Sequence, residues 1–240
     1  QLFATSEGRS DDPSFVSDFP VDMSIWTQPS TNGFNRSIQS RLVAGHTMYT
    51  DEAAHEFKGE NGWDYMDGWL TNEFLDTSWQ SWMWRRQPGY FDSVAYKGSG
   101  EVFPVVPHNL GVVPEMIWIK NRDFIHQWTV YHKDVSASAP YFEMVLSSDA
   151  PLADESTTQY PFAGIPTATN MLLRDGYGSS KVGDNHIAYL FASCPGVSSI
   201  GTYTGSSSEV EVDCGFTNGA RWVLIKRTDQ AGDWLMTTPT

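Results

Sequence analysis

The stretch Trp82–Gly100, WMWRRQPGYFDSVAYKGSG, occurs a second time in the same chain, from Tyr189, as YLFASCPGVSSIGTYTGSS. The two runs superpose without a gap. Pro88-Gly89 falls on Pro195-Gly196, Tyr96 on Tyr203 and Gly98 on Gly205, an offset of 107 (195 − 88 = 107). A strand, a break and a second strand returning at a fixed interval mean that one unit is built more than once, so the fold must be compatible with tandem copies. In the triplet Trp82-Met83-Trp84, alternation puts both indoles on one face of a strand and the methionine on the other. Pro-Gly cannot extend a ladder and marks the joint between copies.

The rest of the chain divides around that joint. Residues 1–22 are polar, with Asp11-Asp12-Pro13 and Phe19-Pro20 as breakers, and are expected to form an extended arm or connector. Residues 23–90 form a partial or diverged first module. In it Arg41–Ala44 and Thr47–Tyr49 suggest a strand pair around Gly45, and Asp51–Phe57 a helical turn or polar loop. Residues 91–197 form a complete second module. Its run Met116-Ile117-Trp118-Ile119-Lys120 is apolar on both faces and is expected to be a central strand. Pro104 and Pro107 confine the preceding strand to an edge or an irregular path. Residues 198–240 open a third module, in which Trp222–Lys226 repeats Met116–Lys120 at an offset of 106 (226 − 120 = 106) and Asp233-Trp234 falls on Gln127-Trp128. Both ends of the chain fall inside copies, which predicts a piece of a longer array. Short strands with closely spaced turn signals predict an all-β fold, built as tandem β-sandwich modules of jelly-roll or lectin-like type and about 107 residues each.

Composition narrows the class of partner. Aromatics make up 14% of the chain, with Gly 20 and Pro 13, which favours strands and turns over helices. The formal net charge of −14 argues against nucleic acid and anionic membranes, since both need a cationic face. No apolar run reaches the roughly 18–20 residues of a spanning helix. The first residues lack the basic and apolar regions of a signal peptide. The two cysteines, Cys194 and Cys214, are expected to be separate thiols, with a bridge between them as the alternative.

The unit resembles a domain of unknown function found, often in tandem, in large virion proteins of tailed phages, including marine cyanophages. The residues that carry the likeness are the closing strands Trp82-Met83-Trp84 and Ala188-Tyr189-Leu190-Phe191, the Pro-Gly joint, FDSVAYKGSG at 91–100, HNLGVVPEMIWIKNR at 108–122, and Trp128-Thr129-Val130-Tyr131. It covers about residues 23–240. Unit one departs from it at its front end, and unit three lacks an equivalent of Pro114. The resemblance implies a tail fibre, appendage or decoration protein on the particle surface. It would work through copies of itself and other virion proteins, and it implies no catalytic residues.

Few residues suggest chemistry of their own. Asp64, Asp67 and Glu73 lie among Trp63, Tyr65 and Trp69, and acids beside stacking rings are what a glycosidase or a glycan-binding platform requires. Trp63, Tyr65 and Trp69 are therefore the candidate contacts to host surface glycans. His46, His55, His108, His126, His132 and His186 show no ligand spacing, and no Gly-x-Ser-x-Gly elbow or phosphate loop is present, so neither catalytic residues, metal nor cofactor is expected. Lys120 and Lys226 recur at the end of the central strand. They are expected to pair locally with Asp123 and Asp229, the alternative being a cationic contact to a neighbour.

Overall fold

The structure, a computed structural model, describes residues 1–29, 35–72, 76–135, 142–154, 160–176 and 178–238. Among them the fold is built of strands, with one turn of 3-10 helix at Arg41–Val43 and no α-helix. The first part of the chain forms β1 (Phe3–Glu7), β2 (Phe15–Val16), β3 (Met23–Thr27), β4 (Ser37–Ser40), β5 (His46–Tyr49), β6 (Phe57–Lys58), β7 (Asn61–Gly62), β8 (Gly68–Thr71) and β9 (Gln80–Trp84). The second forms β10 (Phe91–Lys97), β11 (Val105–Pro107), β12 (Met116–Asn121), β13 (Thr129–His132), β14 (Phe142–Val145), β15 (Ala153–Asp154), β16 (Asn170–Leu172) and β17 (Asn185–Phe191). The hairpin β18 (Val223–Ile225) and β19 (Leu235–Thr237) follows.

Two six-stranded sheets carry the molecule, in the orders β1-β9-β3-β4-β5-β6 and β10-β17-β12-β13-β14-β15. The orders are the same once β1 is set on β10 and β9 on β17. In both, the last strand of the unit inserts antiparallel between the first strand and the central one. The registers agree as well. Trp84 stands opposite Phe3 and Met23, and Phe191 opposite Phe91 and Met116. A small sheet covers one face of each large one, β2-β8-β7 for the first and β11-β16 for the second.

Alternation along the strands sorts side chains into three cores. Met83 and Trp26 pack outward against Phe15 and Trp69 of the small sheet. Ile117, Ile119 and Leu190 pack against Val106 and Met171 in the corresponding core of the second unit. The opposite faces of the two large sheets meet in a shared core, where Trp82, Trp84 and Met23 join Trp118, Tyr189 and Phe191. A fully buried aromatic removes roughly 150–250 Å² from water, about 4–6 kcal/mol gross at 25 cal/mol/Å². Such terms dominate over surface pairs worth ~0–1 kcal/mol each, and a chain of net charge −14 can therefore fold compactly.

Several sequence expectations need correcting. Residues 1–22 are not a free arm. Phe3–Glu7 is the edge strand beside β9, and Phe15, Phe19 and Val21 are buried. Arg41–Ala44 is not a strand: the pair around Gly45 is β4 with β5, and Arg41–Val43 turns as 3-10 helix between them. Of the two readings of Asp51–Phe57 the loop holds for Asp51–Glu56, and Phe57 opens β6. The central position of β12, the opposite facing of Trp82/Trp84 and Met83, and the edge position of β11 are as the sequence pattern implies.

The Pro-Gly joint is the same turn in both copies. Gly89 and Gly196 sit at φ +78° and +72°, which favours glycine. Gln87 N–H donates to the Phe91 carbonyl at 2.9 Å, and Cys194 N–H to the Ser198 carbonyl at 3.0 Å. Cys194 and Cys214 are both free thiols.

Candidate functional site

Lys120 is the penultimate residue of β12 and Lys226 follows β18 directly, and the next strand in each unit is approached through Trp128 or Trp234. These four side chains form a seam between units. Trp128 Nε1 donates to the Tyr49 carbonyl at 2.7 Å, and Trp234 Nε1 to the Val145 carbonyl at 2.9 Å. Lys120 Nζ donates to the Ala53 carbonyl at 3.1 Å, and Lys226 Nζ to the Asp149 carbonyl at 3.1 Å. Each ammonium also holds its own loop, through His126 O at 2.6 Å and Gly232 O at 2.6 Å.

The backbone repeats the same contacts. His126 N–H reaches Ala53 O at 3.0 Å and Gly232 N–H reaches Asp149 O at 2.8 Å. Glu56 N–H reaches Arg122 O at 3.1 Å, and Leu152 N–H reaches Thr228 O at 3.1 Å. On one side of the seam the paired positions differ by 106 (234 − 128) and on the other by 96 (145 − 49). One interface is therefore made twice, unit two gripping unit one and unit three gripping unit two.

A third contact runs from unit one to unit three. Trp82 Nε1 donates to Thr238 Oγ1 at 2.7 Å, and Trp84 meets Trp222 edge-on at 5.1 Å. Tyr189, the counterpart of Trp82, places its hydroxyl within reach of Ser40, the counterpart of Thr238, although neither hydroxyl finds a close hydrogen-bond partner there. The units thus contact one another in a cycle with a single sense, two to one, three to two, one to three. Such head-to-tail contacts are heterologous, joining different surfaces of successive copies.

Electrostatics sharpen the first seam. Lys120 is fully buried at 0% exposure, and burial holds its ammonium down to about 8. Beside it Arg122 forks onto Glu56 at 2.7 and 3.0 Å, a bidentate pair from unit two to unit one. The expected pairing of Lys120 with Asp123 is not what the amine does. Asp123 Oδ2 instead accepts from the Asn185 backbone N–H and Nδ2 at 2.7 and 2.9 Å. Asp229 pairs with Arg227 at 2.7 Å and leaves Lys226 to the carbonyls.

The glycan candidates are largely inside. Trp63 is 4% exposed and Trp69 0%, stacked on one another at 5.5 Å, with Phe15 on the other side of Trp69 at 5.2 Å. Their ring nitrogens donate to Asn61 Oδ1 and Ser81 Oγ. A ring sandwiched in the core has no face to offer a sugar, so Trp63 and Trp69 are packing residues, and Tyr65 is half-buried. Asp64 and Asp67 are exposed, and Glu73 lies outside the described residues. Among the described residues, no group of three or more His, Cys, Asp or Glu could hold a metal ion, and no helix is long and apolar enough to cross a membrane.

The repeat in the sequence showed that Lys120/Lys226 and Trp128/Trp234 recur, but neither their role as donors across a seam nor the acceptors they reach. The acceptors Tyr49/Val145 and Ala53/Asp149 share no side-chain chemistry, because each contributes only its backbone carbonyl to the repeated contact, while Glu56/Leu152 each contribute a backbone N–H that donates back to Arg122 O or Thr228 O.

A family model described as Domain of unknown function (DUF7483) matches residues 30–239, and the chain belongs to that family. Neither the curated proteins nor the solved structures contain a match.

Proposed function

We propose that this member of the DUF7483 family is a non-enzymatic structural protein of a tailed-phage virion, such as a tail fibre, an appendage or a capsid-associated fibre. It is built of tandem β-sandwich modules of jelly-roll or lectin-like type and works through contacts with copies of itself and other virion proteins. The observation that carries this is the seam made twice in one direction, with the same Trp and Lys donors each time. A directional contact repeated along a chain is how elongated and ring-like assemblies grow from one kind of surface. Two large sheets of the same strand order, each with its own small sheet, support the modular description. The likeness of the closing strands and joints to virion proteins supplies the particle.

The test is the particle itself. Purified phage carrying this gene is expected to contain the chain by mass spectrometry. Cryo-electron microscopy of the same particles should place repeated β modules in a surface fibre or decoration. Absence from the particle, together with a chain that stays monomeric in solution, would overturn the proposal.

A further inference from the structure

In both complete sheets one strand does double duty. β9 inserts between β1 and β3, and β17 inserts between β10 and β12. Each carries an aromatic at alternate positions, Trp82 and Trp84 or Tyr189 and Phe191, aimed into the shared core. In the third unit both neighbours of such a strand are present. Ser198–Thr204 is the counterpart of β10, and Val223–Ile225 the counterpart of Ile117–Ile119 in β12.

No described residue lies between them as a strand. β18 pairs with β19 on one side alone, and residues 199–206 form no strand. Both segments line a cavity of about 1460 Å³. Its wall includes Ile200, Trp222, Leu224 and, from the first two units, Trp84, Phe191 and His132.

We infer that this cavity is a binding site for one further β-strand of aromatic-x-aromatic pattern. That strand inserts antiparallel between Ser198–Thr204 and Val223–Ile225, as β9 and β17 do in their own sheets. The register of the sister sites fixes where its side chains go. Trp84 faces Phe3 and Met23, and Phe191 faces Phe91 and Met116, so the second aromatic of the incoming strand faces Ser198 and Trp222. Its first aromatic stands opposite Ile200 and Leu224, where Tyr189 stands opposite Ser93 and Trp118. Trp82 reaches Thr238, and Tyr189 lies beside Ser40. The matching position for the third strand is His132, the register counterpart of Ser40 across the central strand. An unpaired edge supplies backbone hydrogen bonds, and the pockets for alternate side chains supply selectivity, which is the logic of strand addition.

The partner is a strand of this chemistry, and a peptide of this chain's own Ser78–Gln87, SWQSWMWRRQ, serves as the probe. Calorimetric titration into the full chain is expected to give saturable one-to-one binding. Replacing both of its aromatics at 82 and 84 by serine should weaken binding at least about tenfold. Hydrogen exchange should show new protection at amides of 198–204 and 223–225. Leu224→Lys should abolish binding while the circular dichroism of the chain is kept. Should that variant fail to fold, the exchange pattern on the unaltered chain decides alone. Absence of binding overturns the proposal, as does protection elsewhere. It is equally overturned if light scattering finds a peptide-free dimer that already protects these amides, because a second copy would then be the occupant.

Discussion

Lys120 shows how much of this molecule turns on single donors. Its amine is enclosed by carbonyls from two units, and burial lowers it from the ordinary 10.5 to about 8. The unfolded chain therefore binds more protons than the folded one between those values, and stability must rise as pH rises through that window. The gain approaches about 3 kcal/mol at the upper end, from about 2.5 units at 1.36 kcal/mol each. Urea unfolding near pH 7.5 and near pH 10 should show this rise in the native chain and a smaller one in Lys120→Met. Equal rises in both proteins would assign the effect to other groups. Trp69 offers a second test. Trp69→Ala should cost about 3–5 kcal/mol as a core truncation, measured by chemical denaturation. A variant of unchanged stability that lost glycan binding would restore it to the surface. Sequence alone showed that Trp63, Tyr65 and Trp69 cluster. It could not show which way the rings face, because Trp63 and Tyr65 lie in a connection where no period fixes orientation and the strand that holds Trp69 is only four residues long.

At the scale of elements, what could be read in advance followed from side-chain period. The two-faced apolar run of β12 and the alternation in β9 stated their own places, since burial on both faces or on one leaves a direct pattern. β1 was hidden because FATSE has two small polar residues and a charge, and its place is set by pairing with β9. Arg41–Ala44 misled in the other direction, since apolar residues there serve a tight 3-10 connection. The joint-linked glycines allow a paired experiment. A Cβ on Gly98 would meet the Lys181 carbonyl oxygen at 1.9 Å, whereas one on Gly205, its repeat counterpart, meets nothing within 4 Å. Gly98→Ala should lower stability by more than about 2 kcal/mol and Gly205→Ala by less than about 0.5 kcal/mol. Comparable losses in the two would mean that the third unit is packed like the second.

For the whole molecule, the decisive feature is that the large sheets share a core. Neither unit can unfold without exposing the other's Trp82, Trp84, Trp118 or Tyr189 face. Units one and two should consequently melt as one cooperative transition, with calorimetric and van't Hoff enthalpies in agreement. Trp118→Ala, about 3–5 kcal/mol in cost, should move that whole transition downward. Two separated heat-absorption peaks, with only one displaced by the substitution, would show that the units are energetically independent. The recurrence of the closing strand was legible in the sequence, and the two large sheets share one strand order. Their face-to-face packing was not legible, because the aromatic triplet specifies that a face is buried without naming what buries it.

The seam divides the burden of specificity unequally. Indole and ammonium on one side are matched by bare carbonyls on the other, and the residues offering those carbonyls are as unlike as Tyr49 and Val145, or Ala53 and Asp149. The accepting surface is thus free to be rewritten while the grip is kept. Successive copies in such a molecule can diverge in charge, colour and outward chemistry along one flank and still interlock, so that a single geometric rule carries units with different exteriors.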